Sequence, residues 1–111
     1  MEKEKAMEKA GGQWKNIKEL IEYPKEGILS KELFAGENFE ATLFCLAKGA
    51  RISEHTSTRQ GIIFVIDGEG MFNLGGEDIA MLPNVLITMK SSAVHSLRAQ
   101  ENMSFVLLLI Q

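Results

Sequence analysis

Gly49-Ala-Arg-Ile-Ser-Glu-His55-Thr-Ser57-Thr-Arg59-Gln60-Gly61-Ile-Ile-Phe-Val-Ile-Asp-Gly68-Glu-Gly70 is the stretch on which the fold turns. Glycines punctuate it, and the run 61–66 between them is apolar at every position. Successive side chains of a strand point to opposite faces, so such a run needs dry surroundings on both sides. The run 105–110 has the same character. One face of each can line the inside of a β-architecture. The other needs a cover, which the N-terminal segment or a second copy of the chain would supply, because an exposed strip of this kind is an association site. A homodimer is the expected assembly.

The same rhythm extends in both directions. From Gly27 onward, β-type runs alternate with turn residues and predict strands over 28–34, 39–47, 61–66, 70–74, 78–82, 85–89, 93–98 and 104–110. Gly75-Gly76, between Asn73-Leu74 and Glu77-Asp78, reads as a two-residue hairpin whose turn positions both need positive φ. Pro83-Asn84 and Asp67-Gly68 are further turn signals. Many short strands at this spacing predict an all-β sandwich or barrel. Ahead of them, Ile17, Leu20 and Ile21 fall at helical spacing behind Asn16, a good N-cap residue, and Pro24 ends the pattern. A short helix of about two turns is expected there, with Trp14 packed beside it. Residues 1–12 alternate glutamate with lysine and end in Gly11-Gly12; too short for a lone helix in water, they read as a flexible arm. Residues 13–111 then form one domain with its barrel over about 40–110, since a chain of 111 residues encloses one core and not two.

Composition narrows the function. The net charge is only −3 and the basic residues are scattered, so the chain has no footprint for nucleic acid. No apolar run approaches the roughly 20 residues of a membrane helix. Cys45 is the single cysteine, which excludes an intrachain disulfide, and its apolar neighbours mark it as a buried structural thiol. The opening Met-Glu-Lys-Glu-Lys lacks the apolar core of a signal peptide, and the cytoplasm is the expected location. A small neutral or anionic molecule suits such a chain as ligand.

Gly49, His55 and Gly68 fall at the spacings of the first glycine, first histidine and last glycine of the first cupin motif, and the segment 81–99 is similar to the second motif at His95. The chain thus resembles the cupin superfamily over about residues 40 to 110. Ser57 stands where that pattern has its second histidine, Gly61 where it has glutamate, and Lys90-Ser91-Ser92 replaces its usual proline-containing turn. More narrowly, Ile21-Glu-Tyr-Pro, Leu29-Ser-Lys-Glu-Leu, Thr42-Leu-Phe-Cys and Glu54-His-Thr-Ser look like a group of small uncharacterised cupins. The resemblance implies a double-stranded β-helix, the jelly-roll barrel, behind the short N-terminal helix, and it implies pairing as dimers. The superfamily hosts dioxygenases, isomerases, decarboxylases, sugar binders and sensor domains, so the fold by itself selects no reaction.

The two histidines of the chain, His55 and His95, are the candidate site, converging inside the barrel. Neutral imidazole would hold Zn, Fe, Mn or Ni, but a catalytic centre typically uses three protein ligands and an open position. Ser57 is a poor substitute for imidazole, Gly61 offers no side chain, and Gln60 would reach the site only through a bulge. Under strict alternation Arg59 shares a face with His55 and Ser57, and its guanidinium suits a carboxylate or phosphate. Asn73 adds an amide, and Ile63, Val65, Ala93 and Leu97 would make the remaining wall apolar. The first reading is a protein that holds a small molecule in its barrel, with His55 and His95 as polar anchors and Arg59, Ser57 and Asn73 as ligand contacts. The alternative is a divalent-metal enzyme, dioxygenase- or isomerase-like, acting on a small organic acid, with His55 and His95 holding the ion. No P-loop, dinucleotide fingerprint or nucleophile elbow is present.

Overall fold

The computed structural model describes residues 11–111. The expected flexible arm therefore lies, over residues 1–10, outside the described residues, while Gly11 and Gly12 form an exposed turn. Among the described residues one helix, α1 (Ile17–Leu20), precedes nine strands: β1 (Ile28–Ala35), β2 (Phe39–Leu46), β3 (Arg51–His55), β4 (Gln60–Asp67), β5 (Gly70–Leu74), β6 (Glu77–Met81), β7 (Leu86–Met89), β8 (His95–Ala99) and β9 (Met103–Ile110). They form two antiparallel sheets, a five-stranded one ordered β1-β2-β9-β4-β7 and a four-stranded one ordered β3-β8-β5-β6. This is the expected jelly roll, but the sheets face each other as separate layers and the barrel does not close.

The two-sided apolar runs are explained by where their strands sit. β9 lies between β2 and β4 at the centre of the larger sheet. One face of that sheet meets the interior, where Phe105 packs with Leu46, Val65, Phe72, Met81 and Met103. Its other face carries Leu43, Cys45, Val106 and Leu108, and the N-terminal segment lies over them through Ile17, Leu20, Ile21 and Tyr23. The cover is partial. On the β4 and β7 side of the same face, Phe64 is 39% exposed and its register partner Leu86 is 63% exposed.

Two local expectations are corrected. β3 was not among the predicted strands, because Arg51-Ile-Ser-Glu-His55 is polar and has a single apolar residue to announce it. The helix is one turn and not two: Asn16 caps it by accepting from the Lys18 amide, but Ile21 is already extended. So short a helix is marginal on its own, and an extended chain lets Ile21 and Tyr23 both reach the sheet. Trp14, expected beside the helix, is 58% exposed.

Turn chemistry follows the sequence more closely. Gly75 and Gly76 have φ of 57° and 94°, as a two-residue hairpin between β5 and β6 requires. Asn84 has φ of 76° in a turn closed by the Val85 amide on the Leu82 carbonyl, with Pro83 ahead of it. No described helix is long and apolar enough to cross a membrane.

Tyr23 fastens the N-terminal cover. Its hydroxyl lies 3.2 Å from Ser104 Oγ and donates to Asp67 Oδ2 at 3.4 Å, so the fully buried Ser104 finds its partner in the cover. Burial foremost, with Asp67 adding to it and the Ser104 hydrogen bond opposing it, raises the phenol above its ordinary value of 10.0. Tyr23→Phe leaves a buried hydroxyl unsatisfied and should cost about 1–3 kcal/mol in urea denaturation. Adding Ser104→Ala should restore most of that loss. Because the folded pKa is the higher one, the fold favours the protonated phenol. That contribution is whole below about pH 10 and is lost as pH rises through the raised value. Wild type should therefore lose more stability than Tyr23→Phe on alkaline titration.

Candidate functional site

The inner face of the four-stranded sheet follows simple alternation along β8, where His95, Leu97 and Ala99 are buried and Arg98 is exposed. Alternation fails on β3. Ile52 pairs with Leu97, yet the next register pair is His55 with His95, so three steps on β3 match two on β8. The extra residue is a β-bulge, a device that re-aims side chains. Without it, His55 would point to the face opposite Ile52, out of the sandwich. With it, the two rings meet, their centroids 4.1 Å apart and their planes inclined at 59°.

A backbone carbonyl selects the tautomer of each neutral ring. His55 Nδ1 lies 2.8 Å from the Ser53 carbonyl oxygen, and His95 Nδ1 lies 3.0 Å from that of Ala93. A carbonyl oxygen only accepts, so both Nδ1 atoms carry protons and donate. In the neutral ring, Nε2 is then the lone-pair nitrogen. Neither Nε2 has a hydrogen-bond partner among the described residues. His95 is 8% exposed and stacks on Phe72 at 5.8 Å, which fixes its plane. His55 is exposed, so the pair stands at the rim of the sandwich with one ring inside and one facing solvent. The loop after His55 and the loop before His95 are tied together, the Ser92 amide donating to the Ser57 carbonyl. Ser92 has φ of 66°, an uncommon conformation for a residue with a Cβ.

The other sequence-predicted residues do not join the rings. Ser57 Oγ accepts from the Arg59 amide and caps its own turn. The Arg59 guanidinium is engaged by Glu40, Nη2 to Oε2 at 3.3 Å. Gln60 is exposed, and with Arg59, Ser91 and Gln111 it lines a hollow of about 480 Å³ at the same end of the sandwich. Asn73 belongs to the outer face, where its amide donates to Asp78 and its carbonyl oxygen accepts from the Gly76 amide. Ile63, Val65 and Leu97 are core residues packed against Phe72, Met89 and Phe105, and no separate apolar pocket wall is formed by them.

The donor set does not suit a resident catalytic metal. Two imidazoles in the ligating tautomer are present, but among the described residues no group of three His, Cys, Asp or Glu comes together. Gly61 shows what replaced the missing carboxylate. It is buried, and a Cβ built on it would lie 2.9 Å from Met89 Cε and 3.3 Å from Leu109 Cδ2. Core packing occupies the direction in which a ligand would project. Met89 Cε is the far end of a flexible side chain and can give way to a Cβ, so Gly61→Glu should destabilise the fold chiefly by burying a carboxylate, measured by urea denaturation. Elemental analysis of untagged protein should find well under one metal ion per chain, and chelation should leave the melting temperature unchanged.

Comparisons with known proteins agree with the fold. The family model described as "Cupin domain" matches residues 42–111. A conserved protein of unknown function from Streptococcus pyogenes superposes with a TM-score of 0.80 at 20% identity, over 89% of this chain and 87% of that one. A cupin superfamily protein from Desulfitobacterium hafniense gives 0.78 at 18% identity, over 83% and 84%. A Cupin 2 conserved barrel domain protein from Leptotrichia buccalis gives 0.79 at 25% identity, over 85% of this chain but 46% of that longer one. No match was found among curated proteins.

Proposed function

This chain belongs to the cupin family, and from that premise we propose that it binds a small molecule at the rim of its sandwich, with His55 and His95 as paired hydrogen-bond acceptors. The observation that carries the reading is the matched arrangement of the rings, both Nδ1 atoms tied to the backbone and both Nε2 atoms without a hydrogen-bond partner among the described residues. Such a pair accepts from hydroxyl or amine donors of a ligand. The hollow lined by Arg59 and Gln60 at the same end gives the ligand room. Its guanidinium suits a carboxylate, because the half-exposed ion pair with Glu40 is weak and exchangeable. A small hydroxy acid combines these features.

The test is a nitrogen-detected titration of the histidine side chains with glycolate, lactate and malate. Binding should shift the Nε2 resonances of both rings, and His55→Ala should weaken it at least tenfold while circular dichroism stays unchanged. Shifts confined to residues elsewhere, or equal affinity in His55→Ala, would contradict the reading.

The metal-dependent alternative keeps one point in its favour, since the tautomer that accepts hydrogen bonds is also the one that ligates metal. With two protein donors in place of three, the chain supplies too little of the shell for a tightly held ion.

The protein is further proposed to act as a homodimer. Phe64 and Leu86 form an exposed apolar cross-strand pair beside the edge strand β7, on the face whose other half is already covered by Ile17 to Tyr23. A second copy extends that cover. Phe64→Glu with Leu86→Lys should give a folded monomer by light scattering at micromolar concentration. A wild-type monomer under the same conditions would remove the proposal.

A further inference from the structure

The outer face of the four-stranded sheet carries a second concave region. Arg51 on β3 and Arg98 on β8 are direct register partners. Both are exposed and both lie on the face opposite Ile52 and Leu97. Side chains paired in this way have Cβ atoms about 5 Å apart, and like charges so placed destabilise a sheet. Neither guanidinium forms an ion pair or side-chain hydrogen bond with any described residue. The other arginine, Arg59, has Glu40 for a partner.

These two cations form one end of a groove of about 400 Å³, in the size range of small-molecule sites. Met71, the register partner of Arg98, gives it an apolar floor. Ser53 and Ser96 add hydroxyls beside the arginines, and Asp78 closes the far end, three strands away from Arg51, where Asn73 steadies its carboxylate. The groove is thus graded from two fixed positive charges through hydroxyls to one carboxylate.

We propose that this outer groove is a binding site for a phosphomonoester of a small hydroxylated molecule, with the phosphate bridging Arg51 and Arg98 and the hydroxyls turned toward Ser96 and Asp78. Two guanidiniums offer parallel N–H donors that match a phosphate dianion, and the dianion relieves the repulsion between them. The carboxylate end disfavours a ligand that is anionic throughout. The groove lies on the outer face of the sheet and is tested separately from the histidine rim, with which it shares Ser53, whose carbonyl holds His55.

Melting temperature and amide chemical shifts would be followed with inorganic phosphate and with glycerol 3-phosphate, against chloride at matched ionic strength. Both phosphates should stabilise wild type and shift the amides of Ser53, Ser96 and Arg98, leaving those of His55 and His95 in place. Arg51→Gln with Arg98→Gln should bind at least tenfold more weakly, yet without phosphate it should be no less stable than wild type. Tighter binding of glycerol 3-phosphate than of phosphate supports the hydroxylated ester as the ligand. Equal binding of the two, abolished in the double variant, retains the anion site and overturns the ester. Equal stabilisation of wild type and double variant, or shifts centred on the histidines, overturns the site altogether.

Discussion

One surplus residue in β3 decides where His55 points. Strands present alternate side chains to alternate faces, and a chain that kept this rule from Ile52 to His55 would turn His55 into solvent. The bulge between those residues reverses its direction and sets it against His95. Backbone carbonyls then complete the work, since each accepts an Nδ1 proton and leaves an acceptor nitrogen on the other side of its ring. The chemistry of the rim follows from the register of two strands.

Around that rim the chain has exchanged ligands for packing. Where the family pattern has a glutamate there is Gly61, and the space before it holds Met89 and Leu109. The interior between the sheets is filled by Phe72, Phe105, Met81 and Met103, so the container is a core more than a cavity. Interiors at crystalline density leave no room for a buried ligand without a void built for it. On the outer surface of the smaller sheet, Arg51 and Arg98 are register partners with no ion-pair partner among the described residues.

The architecture was largely legible from the amino-acid order. Gly75-Gly76 and Pro83-Asn84 carry local turn chemistry, and the doubly apolar runs around Ile63 and Leu107 could only belong to strands covered on both faces. The site was legible in part. His55 and His95 stood out as the two histidines at motif spacing, but the strand holding His55 was invisible, because its residues are polar and its regularity is broken where it matters. Strict alternation grouped Arg59 with His55, whereas Arg59 lies in the turn before β4 and reaches back to Glu40, nineteen residues earlier in the chain. Asn73 could not be oriented without knowing which face of β5 meets the core; Phe72 takes that face and sends Asn73 outward. The arginine pair escaped notice for a similar reason, since Arg51 and Arg98 are far apart in the chain and only the pairing of β3 with β8 makes them neighbours.

The central claim is that two backbone-anchored imidazoles face each other with free Nε2 atoms. Long-range proton–nitrogen correlation spectra at mildly alkaline pH, combined with ring-to-ring Overhauser effects, measure it most directly. Both histidines should show a protonated Nδ1 and a lone-pair Nε2, with cross-peaks between the two rings. Protons on Nε2 in either ring, or rings with no mutual Overhauser contact, would contradict the account.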